Sequence, residues 1–467
     1  MVRLLREAHQ MTLRLEITPL PYQADPLDYF TRLRKRRGAV LLDSGQPHGP
    51  GGRYDILSCD PVGLLEVDAE GQLHYDANIR LPAYPFAAQQ ALLDSLDVEP
   101  PADCELPFLG GLIGYWSYDL AQRLEHVDGR AKPAVHLPWS RVGLYDWAVI
   151  QDHDRQQTFL VATASRREQV LGWLSGSPPS SRPFRITTPF EAELDRSGYG
   201  ERFRAVQRYI HAGDCYQINL AQRFSACYEG DLWQAYLRLR QATPTPFSGY
   251  LAWGDKGVLS LSPERFLQAH QGCVEARPIK GTRPRGHTPD ADRQLAEELQ
   301  NSAKDRAENV MIVDLLRNDL GRVCQPGSVK VPQLCGLESY ANVHHLVSIV
   351  SGTLASQRTP LDLLAAAFPG GSITGAPKVR AMQIIDELEP SQRSVYCGSL
   401  GYIDQRGHMD TSIAIRTAVA EAGKLHIWGG GGLVADSEEE AEYRETLAKI
   451  RHLLNALGTN AKISRLL

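Results

Sequence analysis

Between residues 216 and 433 the chain returns repeatedly to a hydrophobic period of two, broken by short turns and a few helix-length stretches. In CYQINLAQRF, Tyr216, Ile218, Leu220 and Phe224 share one face of an extended segment, because successive strand side chains point to opposite sides. SGYLAWG and GVLSLSPERFLQAH read as a hairpin pair, and strand-like runs recur at VHHLVSIVSGTL, YCGSLGYID, TSIAIRTAVA and KLHIWGG. Helical patterns lie at YGERFRAVQRYIHAG, closed by Gly213, over roughly residues 289–317, and at SEEEAEYRETLAKIRHLLNAL. Strands joined by short turns and interrupted by helices predict an α+β fold of mostly antiparallel sheets with helices outside.

One segment carries neither period. SGSPPSSRPFRITTP, residues 175–189, is dominated by Pro and Ser and reads as a linker. It separates an N-terminal region, 11–174, from a motif-dense region, 190–460. Met1–Gln10 reads as a loose extension, with Met11 as an alternative start. The net charge of −5 gives no reason to expect nucleic acid or an anionic membrane as partner. No apolar run approaches the ~20 residues that cross a bilayer, and charges interrupt the N-terminus too often for a signal peptide. A cytoplasmic chain is expected. The eight cysteines are scattered without a Cys-x-x-Cys pair, which predicts reduced, packed thiols. None sits in a Gly-x-Cys-x-Gly turn, which argues against a built-in glutaminase.

Several short motifs hold chemistry. Asp305 and Glu308 are three apart and share a helix face, as do Glu442 and Glu445, with Lys449 four beyond Glu445. Either set alone reads as a solvated face. Glu308, however, runs directly into apolar NVMIVDLL, and a carboxylate at the edge of a buried run needs a partner such as a hard cation. The glycines of WGGGGLVADS allow close backbone approach to a ligand. GGSITGAPK, residues 370–378, lacks the Gly-Lys-Ser/Thr of a phosphate loop, so nucleotide binding is rejected. Lys280, between Ile279 and Gly281 at a strand end with little room for water, is placed for a lowered pKa. Arg283 is expected to push the same way. Of His344 and His345, at most one faces a given site.

Six motifs occur in order: SPERF (262–266), PIKGTRPRG (278–286), AENVMIVDLLRNDLGRV (307–323), GGSITGAPKVRAMQIIDELEP (370–390), GYID…DTSIAIRTA (401–418) and GGGGLVADSEEEAEYRETLAK (429–449). Together they resemble the chorismate-utilising enzyme family, whose branches make anthranilate, aminodeoxychorismate, isochorismate and salicylate. The N-terminal LLDSGQPHGPGGRYDILSCDP (41–61) is similar to the amine-using branches. The resemblance implies two packed, mostly antiparallel sheets flanked by helices, with the active site between them. It implies Mg²⁺ held by Glu308 and Glu445, with Asp305 and Glu442 close behind. It implies substrate contacts from Arg416, Tyr396, Gly430, Gly432, Lys449, His345 and Ser372, a general acid at Glu264, and a possible tryptophan contact at Ser44.

Two positions bear on the branch. Gln217 stands where the water-adding branches carry a lysine base, and glutamine takes no proton at neutral pH. Lys280 stands where the anthranilate branch usually has alanine. The resemblance therefore implies amination of chorismate at C4, through addition of Lys280 at C2, with ammonia supplied by a glutamine amidotransferase partner. Anthranilate formation is the alternative, and a tryptophan-binding regulatory subunit a more distant one.

Overall fold

The computed structural model describes residues 13–46, 48, 51–76, 79–340 and 343–458. The outer limits of the two sequence regions, 11 and 460, and the Met1/Met11 question lie outside the described residues. Two large sheets dominate. The first runs from Arg185–Ile186 through Gln217–Glu229, Lys424–Leu433, Thr417–Glu421, Lys256–Ser262 and Phe247–Trp253, and continues into N-terminal strands from Val40–Asp43 to Val98–Glu99. The second begins at Ile279–Pro284, passes through Val343–Thr353, Arg265–His270 and Ser399–Asp404, and ends on Gly111–Trp116, Ser140–Tyr145, Gly63–Val67 and Leu73–Tyr75. The pairings are antiparallel except Leu13–Leu20 with Val98–Glu99.

Both sheets thus contain strands from either side of residues 175–189: Phe247–Trp253 pairs with Val40–Asp43, and Ser399–Asp404 with Gly111–Trp116. The Pro/Ser segment is a crossing between interleaved halves. Arg34 binds its carbonyls at Pro179 and Ser180, at 3.2 and 3.1 Å.

Strand alternation explains the layers. Val40, Ile56 and Val258 enter one core with Leu112, Leu267 and Leu400 of the second sheet. Their neighbours Leu41, Leu57 and Leu259 enter another core, beneath Phe30, Trp233 and Leu453 of the outer helices. The first sheet is therefore apolar on both faces.

Three sequence readings change in detail. Tyr216 is 71% exposed and precedes the strand Gln217–Glu229, whereas Ile218, Leu220 and Phe224 are buried as expected. The helical stretch at 289–317 is two helices, Pro289–Asn301 and Ala303–Gly321. Ser302 breaks them with extended backbone, and its hydroxyl caps the second helix by accepting the Asp305 amide at 3.2 Å. GVLSLSPERFLQAH and TSIAIRTAVA each divide between the sheets: Lys256–Ser262 pairs with Thr417–Glu421 in the first, and Arg265–His270 with Met409–Ile413 in the second. The glycine run lies in a strand: Gly429–Gly432 belong to Lys424–Leu433, paired with Gln217–Glu229.

Candidate active site

The two sheet crossings create the site. Pro263 and Glu264 join the strands of one arm, and Ala414–Arg416 join those of the other. Hydrogen bonds lock the crossings together: Ser262 Oγ to the Ile413 carbonyl at 2.6 Å, the Ile413 amide to the Glu264 carbonyl at 3.1 Å, and the Leu261 amide to the Arg416 carbonyl at 3.1 Å. Arg416 is held at φ +51°, a left-handed conformation that costs a non-glycine residue on the order of 1–3 kcal/mol. Beside the crossings opens a cavity of about 600 Å³.

Glu264, 7% exposed, accepts the Ser372 hydroxyl at 3.2 Å. Burial pushes its carboxyl up to about 7, against the opposing pull of Lys280, the Ser372 hydroxyl and the Ile279 backbone. Lys280 Nζ donates to the Ser372 carbonyl at 3.3 Å. Burial lowers the amine's pKa and Lys449 adds to the effect, while Glu308, Glu264 and Glu445 oppose it. The expectation that Arg283 supplies the like charge is corrected: Arg283 pairs with Glu298 at 2.7 Å and Asp305 at 3.3 Å. Gly281, at φ +81°, lets the strand slip register between Lys280 and Thr282. A Cβ there would lie 2.8 Å from Leu299 and 2.9 Å from Asp305.

Asp305, Glu308, Glu442 and Glu445 all line the cavity. The two helices that carry them, Ala303–Gly321 and Glu439–Ala456, bring them there. Burial raises Glu308, and the charges of Asp305 and Glu445 add to the rise. Burial also raises Glu442, whose Oε1 accepts the Ser437 hydroxyl at 2.6 Å. At Glu445 burial is outweighed by Lys449, 2.7 Å away, and the net shift is downward. Among the described residues no three His, Cys, Asp or Glu side chains converge as a ready cation cage. Of the four expected carboxylates, Asp305 bonds Arg283, Glu442 bonds Ser437 and Glu445 pairs with Lys449, while Glu308 makes no ion pair among the described residues. Carboxylates so placed suit Mg²⁺, which keeps waters and takes ligand oxygens.

The Arg416 guanidinium also lines the cavity. Burial alone lowers its pKa, and no carboxylate among the described residues lies within ion-pair distance. Tyr396 stands near it, stacked on Trp428 with centroids 6.1 Å apart. Gly430 and Gly432 form part of the wall. Lys449 Nζ donates to the Gly430 carbonyl at 2.9 Å. A Cβ on Gly430 would meet the Leu220 carbonyl at 2.7 Å. His345 lines the cavity with Nδ1 2.8 Å from Thr282 Oγ1, and burial lowers its pKa. His344 turns the other way, to Ser339 and Asp292 at 2.8 and 3.0 Å.

One expected substrate contact falls outside the cavity, and the possible tryptophan contact lies elsewhere in the first sheet. Gln217 is fully buried, does not line it, and has no partner for either amide atom. Its amide fills the space a side chain on Gly432 would need. Ser44 is buried far along the first sheet, its hydroxyl donating to Asp55 Oδ1 at 2.7 Å. Sequence reasoning missed Asn219, Lys304 and Trp428 in the lining. Asn219 is 7% exposed and its Oδ1 has no hydrogen-bond partner. Its signal was present: Gln217 and Asn219 alternate with Ile218 and Leu220, a polar row on a buried strand.

An arginine without an ion pair among the described residues, a lysine whose pKa burial lowers and a glutamate whose pKa burial raises suit, in one cavity, an anionic substrate that gains a nucleophile and loses a protonated leaving group. The chain belongs to the chorismate binding enzyme family, whose model matches residues 37–455. It is 48% identical over 449 residues to aminodeoxychorismate synthase component 1 of Salmonella typhimurium, covering 96% of this chain and 99% of that protein. It is 37% identical over 460 residues to anthranilate synthase component 1 of Synechocystis sp., covering 89% and 90%. Anthranilate synthase component I from Streptococcus pneumoniae superposes with a TM-score of 0.77 at 29% identity, over 86% of this chain and 92% of that one. Among the described residues no helix is long and apolar enough to cross a membrane.

Proposed function

We propose that this chain converts chorismate and ammonia to 4-amino-4-deoxychorismate, on the route to 4-aminobenzoate and folate. The observation that carries the reading is the coupling of Lys280 and Glu264 through one residue: Ser372 takes the amine on its carbonyl at 3.3 Å and gives its hydroxyl to the carboxylate at 3.2 Å. Burial raises the Glu264 carboxyl and lowers the Lys280 amine, so each is biased toward the uncharged form that acid and nucleophile require.

Arg416, which has no acidic partner among the described residues, takes the enolpyruvyl carboxylate, and Tyr396 borders that end. Gly430, Gly432 and Lys449 border the ring carboxylate, with His345 and Ser372 along the ring. Glu308 and Glu445 would hold Mg²⁺, which supplies neutralisation of the ring carboxylate when bound. The Lys280 nitrogen forms a bond to C2, the ring double bonds shift, and the C4–O bond breaks. Glu264 gives its proton to the departing hydroxyl, which leaves as water. Ammonia then bonds to C4, the double bonds shift back, and the C2–N bond breaks to release Lys280. Glu264 recovers a proton from the new ammonium group. Free ammonium is no nucleophile, so NH₃ comes from a glutamine amidotransferase partner, in keeping with the designation component 1 carried by the relatives.

The test is product identity. Purified chain with Mg²⁺, chorismate and an ammonium salt at alkaline pH should give a product that keeps its pyruvyl group, identified by mass and ultraviolet spectrum. Chorismate without ammonia should leave a substrate-derived mass on the Lys280 peptide. Anthranilate and pyruvate as sole products would place the chain in the anthranilate branch. Glutamate released from glutamine by the chain alone would overturn the partner.

A further inference from the structure

Among the buried charges that this chemistry does not use, one pair reaches the active cavity from behind. Arg393 is 1% exposed. Its Nε and Nη2 donate to the two carboxylate oxygens of Glu389 at 2.9 and 2.6 Å. The same guanidinium reaches two main-chain carbonyls, Ile373 from Nη1 at 2.8 Å and Asn219 from Nη2 at 2.6 Å. Glu389 also accepts the Ala221 amide at 2.8 Å. One planar cation therefore ties the strand Gln217–Glu229 to the turn Gly371–Ile373, and the Asn219 amide adds a parallel tie to the Thr374 carbonyl at 2.8 Å.

Both tied segments present groups to the cavity. Asn219 contributes a buried Oδ1 without a partner. Ser372, directly before Ile373, is the residue on which Lys280 and Glu264 both bear. A guanidinium fork can hold two carbonyls and a carboxylate in one plane, which a lysine ammonium on a flexible stem cannot do. The charges acting most strongly on Lys280 are Glu308, Glu264, Lys449 and Glu445, and Arg393 is not among them.

We propose that the Glu389–Arg393 pair is a positioning device: by tying the carbonyls of Asn219 and Ile373, Arg393 sets the place of Ser372 and, through it, the separation of Lys280 from Glu264. The effect on turnover rests on the function proposed above, whereas the effect on Lys280 can be read without substrate. Burial is the largest influence on both Lys280 and Glu264, so water admitted by a slackened turn moves each toward its ordinary value.

The test compares the full chain with Arg393→Lys, which keeps the charge beside Glu389 and loses the fork. Trace acetylation with acetic anhydride across a pH series, with the Lys280 peptide quantified by mass, gives the midpoint of that amine. It should rise by about one pH unit in the variant, a tenfold change in proton affinity. Chorismate turnover should fall about 100-fold in kcat with KM little changed, the scale of a small misplacement of reacting groups. If Arg393→Lys does not fold, the double variant Glu389→Gln/Arg393→Gln, which removes both charges together and leaves neither orphaned, carries the same measurement. An unchanged Lys280 midpoint in a folded variant overturns the proposal and leaves the pair as packing. A wild-type chain that labels normally yet never aminates chorismate sinks the function instead, and the labelling comparison still decides the clamp.

Discussion

Two cavities of the described residues treat charge differently. The second, about 390 Å³, lies between the sheets and is lined by Asp43, Arg53, Arg265 and Asp410. Each of these is neutralised from within. Arg265 makes a two-pronged pair with Asp410, both bonds 2.9 Å, and Arg53 does the same with Asp152 at 2.9 and 2.7 Å. Asp43 accepts Arg240 and the Tyr236 hydroxyl. In the active cavity, among the described residues, Arg416 has no acid within ion-pair distance, Asn219 Oδ1 has no donor, and Glu308 makes no ion pair. Folding leaves polar groups unsatisfied where a ligand is to complete them, because an unpaired buried group is costly in any other setting.

The contrast can be broken most severely at the carboxylates. Glu308→Gln and Glu445→Gln should each abolish turnover at saturating Mg²⁺ while thermal unfolding stays cooperative. Full activity of either variant in excess chelator would refute the assignment. Lys280→Ala should slow C4 amination roughly a thousandfold, the scale of losing one positioned catalytic group. It should also leave C2 open to ammonia, so that some anthranilate appears on chromatography. Undiminished rate with a single C4 product would make Lys280 an electrostatic bystander.

Arg416→Lys and Asp410→Asn set the cavities directly against each other. The first should raise KM for chorismate about 10- to 100-fold, since charged hydrogen bonds contribute about 1.5–3 kcal/mol. It should leave stability nearly unchanged. The second should do the reverse, lowering unfolding free energy by about 1–3 kcal/mol with KM unaltered, because it orphans Arg265. A denaturant titration beside steady-state kinetics reads both, and equal effects on KM would erase the distinction.

The smallest effect concerns pH. Glu264 must be protonated to act and titrates at about 7, so adduct formation without ammonia should decline as pH rises through about 7. Lys280 must be uncharged, and its pKa is lowered, so the rate should decline again as pH falls through that lowered value. Glu264→Gln should remove the alkaline decline along with most of the rate. An alkaline limb that persists in Glu264→Gln belongs to another group.

The class of fold was legible in the sequence, and so were the candidates for the reacting residues. Lys280, Glu308 and Glu445 are marked by their immediate neighbours, Glu264 and Arg416 by the family resemblance of their motifs, and a period of two predicts antiparallel strands from neighbouring positions alone. What lay beyond its reach depends on atoms far apart in the chain. The splitting of GVLSLSPERFLQAH and TSIAIRTAVA between two sheets follows from pairing between the arms, which no local pattern encodes. The interleaving of strands across residues 175–189 is likewise a matter of partners. The like charge beside Lys280 is Lys449, 169 positions away, rather than Arg283, three away, because Arg283 found two carboxylates first. Arg393 belongs to none of the six motifs. Only the packed structure places its fork between Glu389, Ile373 and Asn219, since a buried cation settles wherever tertiary folding gathers enough acceptors to replace water.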